Sequence, residues 1–188
     1  MKSLVTPLLL GLLVLAPAIA TEPGKKAPRF ALSDAGGKKH SLNTYKGKVV
    51  VLLVWSSSCP TSKAYGARLE QLGKQWKKGK KVVLLGLAPS RGETAATIKA
   101  GKTKGKIRFP VLLDKGGKIA KTLGAKVTPT AYVIDGKGVL RYAGRIDDDP
   151  RGKKKTPTRH LLQAVNAVLA GRNPSKTKRF GPGFKIRY

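Results

Sequence analysis

Residues 48–63 read KVVVLLVWSSSCPTSK, an apolar run followed by a short polar loop, a cysteine and a proline. The six consecutive Val and Leu residues predict a strand that is buried on both faces, as strands of parallel sheets are. Pro60 suits the first position of a helix, because that position needs no N–H donor. The stretch therefore predicts a buried strand and, starting at Cys59, a helix.

The rest of the chain alternates between apolar, β-branched runs and segments with helical spacing. Predicted strands are residues 48–54, 81–88, 109–113, 130–135 and 139–143, and predicted helices are residues 60–76, 93–102, 119–123 and 159–169. A short edge hairpin is expected over residues 30–37. Strands that alternate with helices and end in a hairpin predict an α/β fold, with a central mixed β-sheet flanked by helices on both faces.

The chain is strongly basic, with 39 Lys plus Arg against 9 Asp plus Glu and a formal net charge of +30. Such a surface attracts an anionic surface or a polyanion. Aromatic residues do not alternate with the basic ones, so a base-stacking platform and a nucleic-acid partner are not expected. The simpler interpretation is a solvated basic surface without a specific partner.

The first 20 residues have the pattern of a secretory signal peptide. Lys2 gives a positive start, residues 4–15 are almost wholly apolar, and Ala18 and Ala20 fit a cleavage site after Ala20. The protein is therefore expected to be exported, either periplasmic or secreted, and an uncleaved anchor is the alternative. The remaining expected parts are a flexible lead-in (21–29), the main domain (30–172) and a basic C-terminal tail (173–188), which either is disordered or packs back on the domain.

Cys59 is the single cysteine of the chain, so an internal disulfide is excluded. The positive end of a helix dipole stabilises an anionic thiolate, and Ser56 and Ser62 offer hydrogen-bond donors to the sulfur. These features predict a reactive thiol, and a buried, inert thiol is the alternative. No metal and no cofactor are expected, because the two histidines and Cys59 do not form a ligand pattern.

Two segments make the predicted fold more specific. Trp55 precedes Cys59 by four residues, and residues 127–135 read VTPTAYVID. Both resemble the exported thioredoxin-fold oxidoreductases. The resemblance implies a thioredoxin-like fold in which the peptide bond between Thr128 and Pro129 is cis and lies against Cys59, with Pro129 shaping the substrate groove.

A closer resemblance is to the peroxiredoxin-like (AhpC/TSA-type) branch of redoxins. Residues 59–69 read CPTSKAYGARL, similar to the CPxxKAYxxRL segment of that branch, and residues 142–148 read YAGRIDD, similar to its YxGxIDD segment. The acidic run 147–149 is interpreted as a solvated turn that balances nearby lysines, and its match to the family segment implies a structural role near the active-site face. The resemblance extends over residues 27–188 and implies a thiol-based redox protein.

The chain departs from this family where a second thiol would stand. A dithiol site needs a cysteine at position 62, where this chain has Ser62. Relatives in the branch often end in a Gly-Cys-x-Ile-Lys tail, and Phe184 occupies that cysteine position. Cys59 is therefore expected to act alone on a disulfide-containing protein or a peroxide, with an external thiol reductant to regenerate it. A Cys59-linked dimer is a further expectation.

The expected function is a thiol oxidoreductase that uses one reactive cysteine, for thiol–disulfide exchange or peroxide reduction. The arginine that polarises peroxide in true peroxiredoxins is replaced near Pro129, and Arg141 and Arg145 are the candidate substitutes. The alternative from another class is a non-catalytic exported protein that keeps the thioredoxin scaffold and binds anionic partners through its basic surface.

Overall fold

The computed structural model of the protein describes residues 20–188, so all but the last residue of the predicted signal peptide lies outside them. The strands are β1 (Ala31–Ser33), β2 (Lys39–Ser41), β3 (Val49–Val54), β4 (Val82–Ala88), β5 (Val111–Leu113), β6 (Val127–Thr128), β7 (Thr130–Ile134), β8 (Leu140–Gly144), β9 (Lys178–Arg179) and β10 (Phe184–Lys185). The helices are α1 (Pro60–Ala64), α2 (Gly66–Lys78), α3 (Ala95–Lys104), α4 (Lys118–Thr122) and α5 (His160–Leu169). Among the described residues, no helix combines the length and apolarity that crossing a bilayer requires.

Six strands form the central sheet in the order β5-β4-β3-β7-β8-β9. Strands β3, β4 and β5 are parallel, whereas β7 runs antiparallel to both β3 and β8. The strands β1 and β2 form the expected edge hairpin, and β6 and β10 form a separate antiparallel pair. The predicted mixed sheet is confirmed.

Strand β3 lies at the centre of the sheet and contributes to the core on both faces. Its odd-numbered residues pack with α2, α3 and α5, and its even-numbered residues pack with α4 and the N-terminal hairpin. This alternation follows from the two-residue period of a strand. Burial on both faces explains why the sequence of β3 is apolar without interruption.

The helix predicted over residues 60–76 is in fact two helices that meet at Tyr65. Gly66 lies so close to Gly105 that a Cβ at Gly66 would collide with the Gly105 carbonyl oxygen. The two helices thus meet where two backbones approach each other, and the apolar residues with helical spacing begin only at Tyr65. Periodicity alone therefore did not reveal the break.

Both flanking segments are bonded to the domain. In the lead-in, Gly24 N–H donates to the Leu140 carbonyl at 2.7 Å and Ala27 N–H to the Gly138 carbonyl at 2.9 Å. The backbone of this segment thus adds to the β7–β8 hairpin, and the flexibility expected of residues 21–29 stays a prediction. In the tail, β9 pairs with β8, so the structure shows the packed alternative for residues 173–188.

Candidate active site

Cys59 lies between the end of β3 and the start of α1. It is the N-cap residue of α1 with extended backbone angles (φ −78°, ψ 116°), and Pro60 occupies the first helical turn. The Ser62 N–H donates to Cys59 Sγ at 3.3 Å, so the sulfur is hydrogen-bonded as an N-cap acceptor. The placement of the thiol that the sequence predicts is confirmed.

The peptide bond between Thr128 and Pro129 is cis. The thiol of Cys59 donates to the Thr128 carbonyl oxygen at 3.5 Å, so the cis-proline loop lies against the sulfur, as the resemblance implies. The carbonyl oxygen is a partner for the protonated thiol and the Ser62 amide is a partner for the thiolate. Both protonation states of Cys59 therefore have a hydrogen-bond partner, although the residue is only 3% exposed.

The two serines proposed to hold the sulfur differ in what they contact. Ser62 is fully buried and bonds the sulfur through its amide, while its hydroxyl has no hydrogen-bond partner among the described residues. The Ser56 hydroxyl donates to Glu93 Oε1 at 2.8 Å. Because a serine hydroxyl has only one hydrogen, the expectation that Ser56 donates to the sulfur is corrected: it supports the loop instead.

Glu93 is the site residue that the sequence did not reveal. Besides the Ser56 hydroxyl, its Oε1 accepts the Ser57 N–H at 2.8 Å. The carboxylate thus fixes the loop that precedes Cys59 from outside. The sequence shows that Glu93 directly precedes Thr94, the N-cap of α3. The sequence does not show that Glu93 contacts a loop 36 residues earlier.

The two family-like segments are bonded to each other. Tyr65 donates to Asp147 Oδ1 at 2.5 Å and Arg68 donates to Asp147 Oδ2 at 2.8 Å. Burial and the hydrogen bond to Asp147 raise the pKa of Tyr65. Asp147 and Asp149 are 7% and 5% exposed, so the interpretation of these two side chains as solvated is wrong. The expected pairing with nearby lysines is present at Asp148, whose carboxylate accepts from Lys154 Nζ at 2.9 Å. Asp147 instead anchors the α1–α2 junction, and hence the helix that begins at Cys59.

A small cleft of about 80 Å³ adjoins the cis-proline loop. It is lined by Thr61, Pro129 and Arg145, together with Gly181 and Pro182 of the tail. Cys59 is not among its lining residues.

Only one of the two candidate arginines lines this cleft. Arg145 lines it, and its Nη2 donates to the Phe180 carbonyl at 3.0 Å. Arg141 is bound instead to Asp135 at 2.7 Å and to Asn173 at 2.9 Å. Of the two, only Arg145 is placed beside Pro129.

A larger cleft of about 840 Å³ lies elsewhere, between α2, α3 and the β1–β2 turn. Five cationic side chains line it: Lys74, Lys99, Lys102, Lys106 and Arg108. Loss of hydration on burial lowers the pKa of Lys102. The acidic residues in its lining are Asp34 and Glu70, so positive charge is in excess. Over residues 20–188, no group of three His, Cys, Asp or Glu side chains is arranged to hold a metal ion.

A mixed sheet with a thiol at the N-terminus of its first central helix, and a cis-proline against that thiol, defines a thioredoxin-like protein. More particularly, the chain belongs to the AhpC/TSA family, whose model matches residues 23–143, more than half of the chain.

Similar proteins agree with this assignment. The chain is 37% identical over 118 residues to the thiol-disulfide oxidoreductase ResA of Bacillus thuringiensis subsp. konkukian, a match that spans 62% of this chain and 66% of that protein. It therefore covers slightly less than two thirds of that relative's length. It is 30% identical to the thiol:disulfide interchange protein DsbE of Vibrio cholerae, over 71% of this chain and 70% of that one.

The fold is shared with solved structures. The hypothetical protein SMc02350 of Sinorhizobium meliloti superposes with a TM-score of 0.79 at 26% identity, covering 90% of this chain and 96% of that one. A putative thiol:disulfide interchange protein DsbE of Chlorobium tepidum gives 0.59 at 26% identity, over 66% and 85% of the two chains. The predicted thioredoxin-like fold and family are confirmed.

Proposed function

We propose that this protein is an exported thiol–disulfide oxidoreductase that works through the single thiol Cys59. The observation that carries the proposal is the position of Cys59 Sγ, which accepts the Ser62 N–H at 3.3 Å and lies 3.5 Å from the carbonyl oxygen of Thr128 in the cis-proline loop. The oxidoreductases ResA and DsbE, to which the chain is similar, support the same reaction class.

In the proposed reaction, the Cys59 thiolate attacks one sulfur of a disulfide-bearing protein. A new S–S bond forms between Cys59 and that sulfur, and the other sulfur of the substrate leaves as a thiolate. The thiolate of an external thiol then attacks the mixed disulfide at the substrate sulfur and releases Cys59. Cys59 leaves as a thiolate and returns to its starting state, while the substrate sulfur remains in a disulfide with the external thiol. A second external thiol then attacks the external sulfur of that disulfide and releases the substrate thiolate, so that two external thiols are oxidised to one disulfide.

The site residues have distinct roles in this proposal. Ser62 donates its amide N–H to the sulfur, while Thr128 and Pro129 form the wall of the substrate groove. Ser56, through Glu93, positions the loop before Cys59. An external thiol is needed because Ser62 and Phe184 stand where a resolving cysteine would be.

Peroxide is the other proposed substrate of the same thiol, and the placement of Arg145 in the cleft beside Pro129 favours it. The thiolate would attack one peroxide oxygen, become a sulfenic acid, and release the second oxygen as water or an alcohol after protonation. Arg145 is the cation beside this cleft. Loss of peroxide consumption in Arg145→Gln, with protein disulfide exchange retained, is the expected result. Equal peroxide consumption by Arg141→Gln and Arg145→Gln would remove Arg145 from the proposal.

Trapping in the native compartment tests the main proposal. Free thiols are blocked by acid and alkylation, and proteins linked to Cys59 are identified by mass spectrometry after reduction. We expect mixed disulfides with other proteins that are absent in Cys59→Ser. If Cys59 instead links two copies of this chain, a non-reducing gel would show the dimer as the only disulfide-linked product.

N-terminal sequencing of the exported protein should give Thr21 as the first residue, which checks the proposed export.

The second candidate is a non-catalytic exported binding protein, and the cleft with five cations favours it. The partner would be an anionic surface or a polyanion. A labelled heparin fragment should bind the purified protein in a salt-dependent manner, and replacement of Lys102 and Lys106 by alanine should weaken binding more than replacement of Lys153 and Lys155. Binding and phenotype that both survive Cys59→Ser would favour this candidate over the oxidoreductase.

A further inference from the structure

A cleft of about 670 Å³ lies between helix α5 and residues 172–179 of the chain. Buried side chains contribute to its wall, among them Tyr142 of β8, Ala164 of α5 and Pro174. Its volume lies in the usual range of small-molecule sites, about 300–1,000 Å³. This α5 cleft shares no lining residue with the cleft beside Pro129, so it is separate from the thiol site.

The charge in the α5 cleft has one sign. Arg172, Lys176 and Arg179 line it, and no Asp or Glu of residues 20–188 does. The cleft with five cations differs in this respect, because Asp34 and Glu70 are part of its lining. The positive potential of the α5 cleft is therefore not balanced by a carboxylate within the cleft, which favours an anionic ligand.

Several polar side chains in the α5 cleft have no partner within the described part of the chain. The amides of Gln163 and Asn166 form no hydrogen bond there, and neither do the guanidinium groups of Arg172 and Arg179. Asn173 is engaged only through its oxygen, which accepts from Arg141 Nη1 at 2.9 Å. The cleft thus presents cationic and amide donors that a ligand can use.

His160, the first residue of α5, is the most informative member of the lining. It is 9% exposed, and its imidazole has no hydrogen-bond partner among residues 20–188. The other histidine, His40, is bonded at both ring nitrogens, to the Tyr45 hydroxyl at 2.5 Å and to the Asp34 carboxylate at 3.0 Å. Because buried polar groups are normally hydrogen-bonded, an unpartnered imidazole in a cleft points to a ligand as its partner.

The charges around His160 favour the same class of ligand. Burial, with Arg179 and Arg145 nearby, lowers the pKa of His160, and Asp148 and Asp147 oppose the shift. Neither carboxylate lines the cleft, and both already accept hydrogen bonds from other side chains. An anion in the cleft adds negative charge beside the imidazole, so it favours protonation, and the protonated ring gains a donor for the anion.

We propose that the α5 cleft binds a small phosphate monoester that carries hydroxyl groups, a ligand of the sugar phosphate class. A phosphate monoester has a charge of about −1.5 to −2 at neutral pH and three strong acceptor oxygens. Arg172, Arg179 and His160 supply donors to these oxygens, and guanidinium groups bind phosphate through paired hydrogen bonds. Gln163 and Asn166 suit hydroxyl groups, because an amide offers both a donor and an acceptor. The inference goes beyond the proposed thiol chemistry and is independent of it.

A test must be local, because a net charge of +30 attracts anions to the whole surface. The two histidines of the chain provide it in protein without a histidine tag. The ring-proton resonance of His160 reports on the α5 cleft. That of His40 reports on the cleft with five cations, since His40 is bonded to Asp34 in its lining. Glucose-6-phosphate should shift the His160 resonance with saturation, raise the pKa of His160 and leave the His40 resonance in place.

Two further ligands test the chemistry at constant ionic strength. Glucuronate carries a carboxylate in place of the phosphate ester, and glucose carries no charge. We expect glucose-6-phosphate to bind at least about tenfold more tightly than glucuronate, because more charge-assisted hydrogen bonds form, and glucose to leave the His160 resonance unchanged. Equal affinities for glucose-6-phosphate and glucuronate overturn the choice of phosphate. A response of His40 without a response of His160 overturns the site.

Variants of exposed residues locate the binding. Arg179→Gln should weaken glucose-6-phosphate binding about tenfold, since a charge-assisted hydrogen bond is lost, and Lys176→Gln about threefold, as expected for an exposed ion pair. Lys178→Gln is the matched control, because Lys178 pairs with Glu22 and does not line the cleft. It should bind like the parent, as should Cys59→Ser. Equal weakening by Lys176→Gln and Lys178→Gln would mean attraction to net charge alone and overturns the inference.

Discussion

The thiol lies between two walls that differ sharply in how they are held. On the helix side, Ser62, Tyr65 and Asp147 are 0%, 3% and 7% exposed. A hydrogen bond across 82 residues of sequence joins Tyr65 to Asp147, in the loop that follows β8. On the strand side, Phe184 and Tyr188 of the tail are 51% and 37% exposed. The helix side is thus buried throughout, whereas the tail is buried at Ile186, which is 5% exposed, and is open to solvent on either side of it.

The difference matches two requirements of a reactive thiol. The sulfur needs a fixed hydrogen-bond partner, and the helix side supplies it through the Ser62 amide. A large substrate needs access, and only a lightly held element can give way at low cost. Substitutions should therefore have their largest effect on the helix side and smaller effects in the loop before Cys59. The smallest effect is expected in the exposed part of the tail.

The largest effect is expected for Asp147→Ala. The substitution leaves the buried Tyr65 hydroxyl without its acceptor and the Arg68 guanidinium without its carboxylate partner, which should lower the free energy of unfolding by about 2–4 kcal/mol. Urea denaturation measures the loss. The control is Asp148→Ala, whose carboxylate pairs with the exposed Lys154, and which should lose much less. Equal losses in the two variants would contradict the description of a fixed wall.

A smaller loss is expected for Gly101→Ala in α3. The new Cβ would lie 2.7 Å from Ser57 Cβ and 2.9 Å from Trp55 Cη2, so the loop before Cys59 must move. Overpacking of this kind costs about 1–3 kcal/mol. Gly79→Ala is the control, because its nearest neighbour would be an ordinary 3.7 Å away. If thermal unfolding shows the same midpoint for both variants, the loop is not packed against α3 as described.

Protonation of His160 in acid should lower the free energy of unfolding. Burial, with Arg179 and Arg145 nearby, lowers the pKa of His160 below 6.5, while Asp147 and Asp148 oppose the shift. A lowered pKa means that the folded state binds the proton less well than the unfolded state. Stability is therefore full above about pH 6.5 and falls as the pH drops below it. His160→Gln should flatten the unfolding free energy between pH 7 and pH 5, and an unchanged slope would contradict this.

The smallest effect is expected for Lys185→Ala in β10. Its side chain is exposed and the backbone pairing is unaffected, so the free energy of unfolding should change by no more than about 0.5 kcal/mol. Differential scanning calorimetry gives the comparison with the parent. A loss as large as that of Asp147→Ala would mean that the tail is held as firmly as the helix side.

The sequence predicted what depends on neighbouring residues. The apolar run of β3, Cys59 and Pro60 are contiguous, so a strand, an N-cap and a first helical turn follow from local chemistry. The cis peptide at Pro129 was implied by a resemblance and is present in the structure.

What the sequence did not predict depends on distant contacts. Glu93 and Asp147 act on segments 36 and 82 residues away, and acidic side chains in a chain of net charge +30 are read most simply as solvated. The apolar residues of the tail made packing on the domain an open alternative, but they did not indicate β6 as the partner, because β10 has only two residues. Gly183 looks like any loop glycine in the sequence, although a Cβ there would lie 2.8 Å from the Thr128 carbonyl oxygen.

The central claim, that the fold makes Cys59 a working thiol, is tested most directly by comparing native and unfolded protein. Each is incubated with a small aromatic disulfide at neutral pH, and the rate of mixed-disulfide formation on Cys59 is followed by the released thiolate and by peptide mass spectrometry. We expect the native protein to react faster than the urea-unfolded chain, and an added thiol to restore free Cys59. A native thiol that stays unmodified while the unfolded chain reacts would show a buried, inert cysteine and contradict the account.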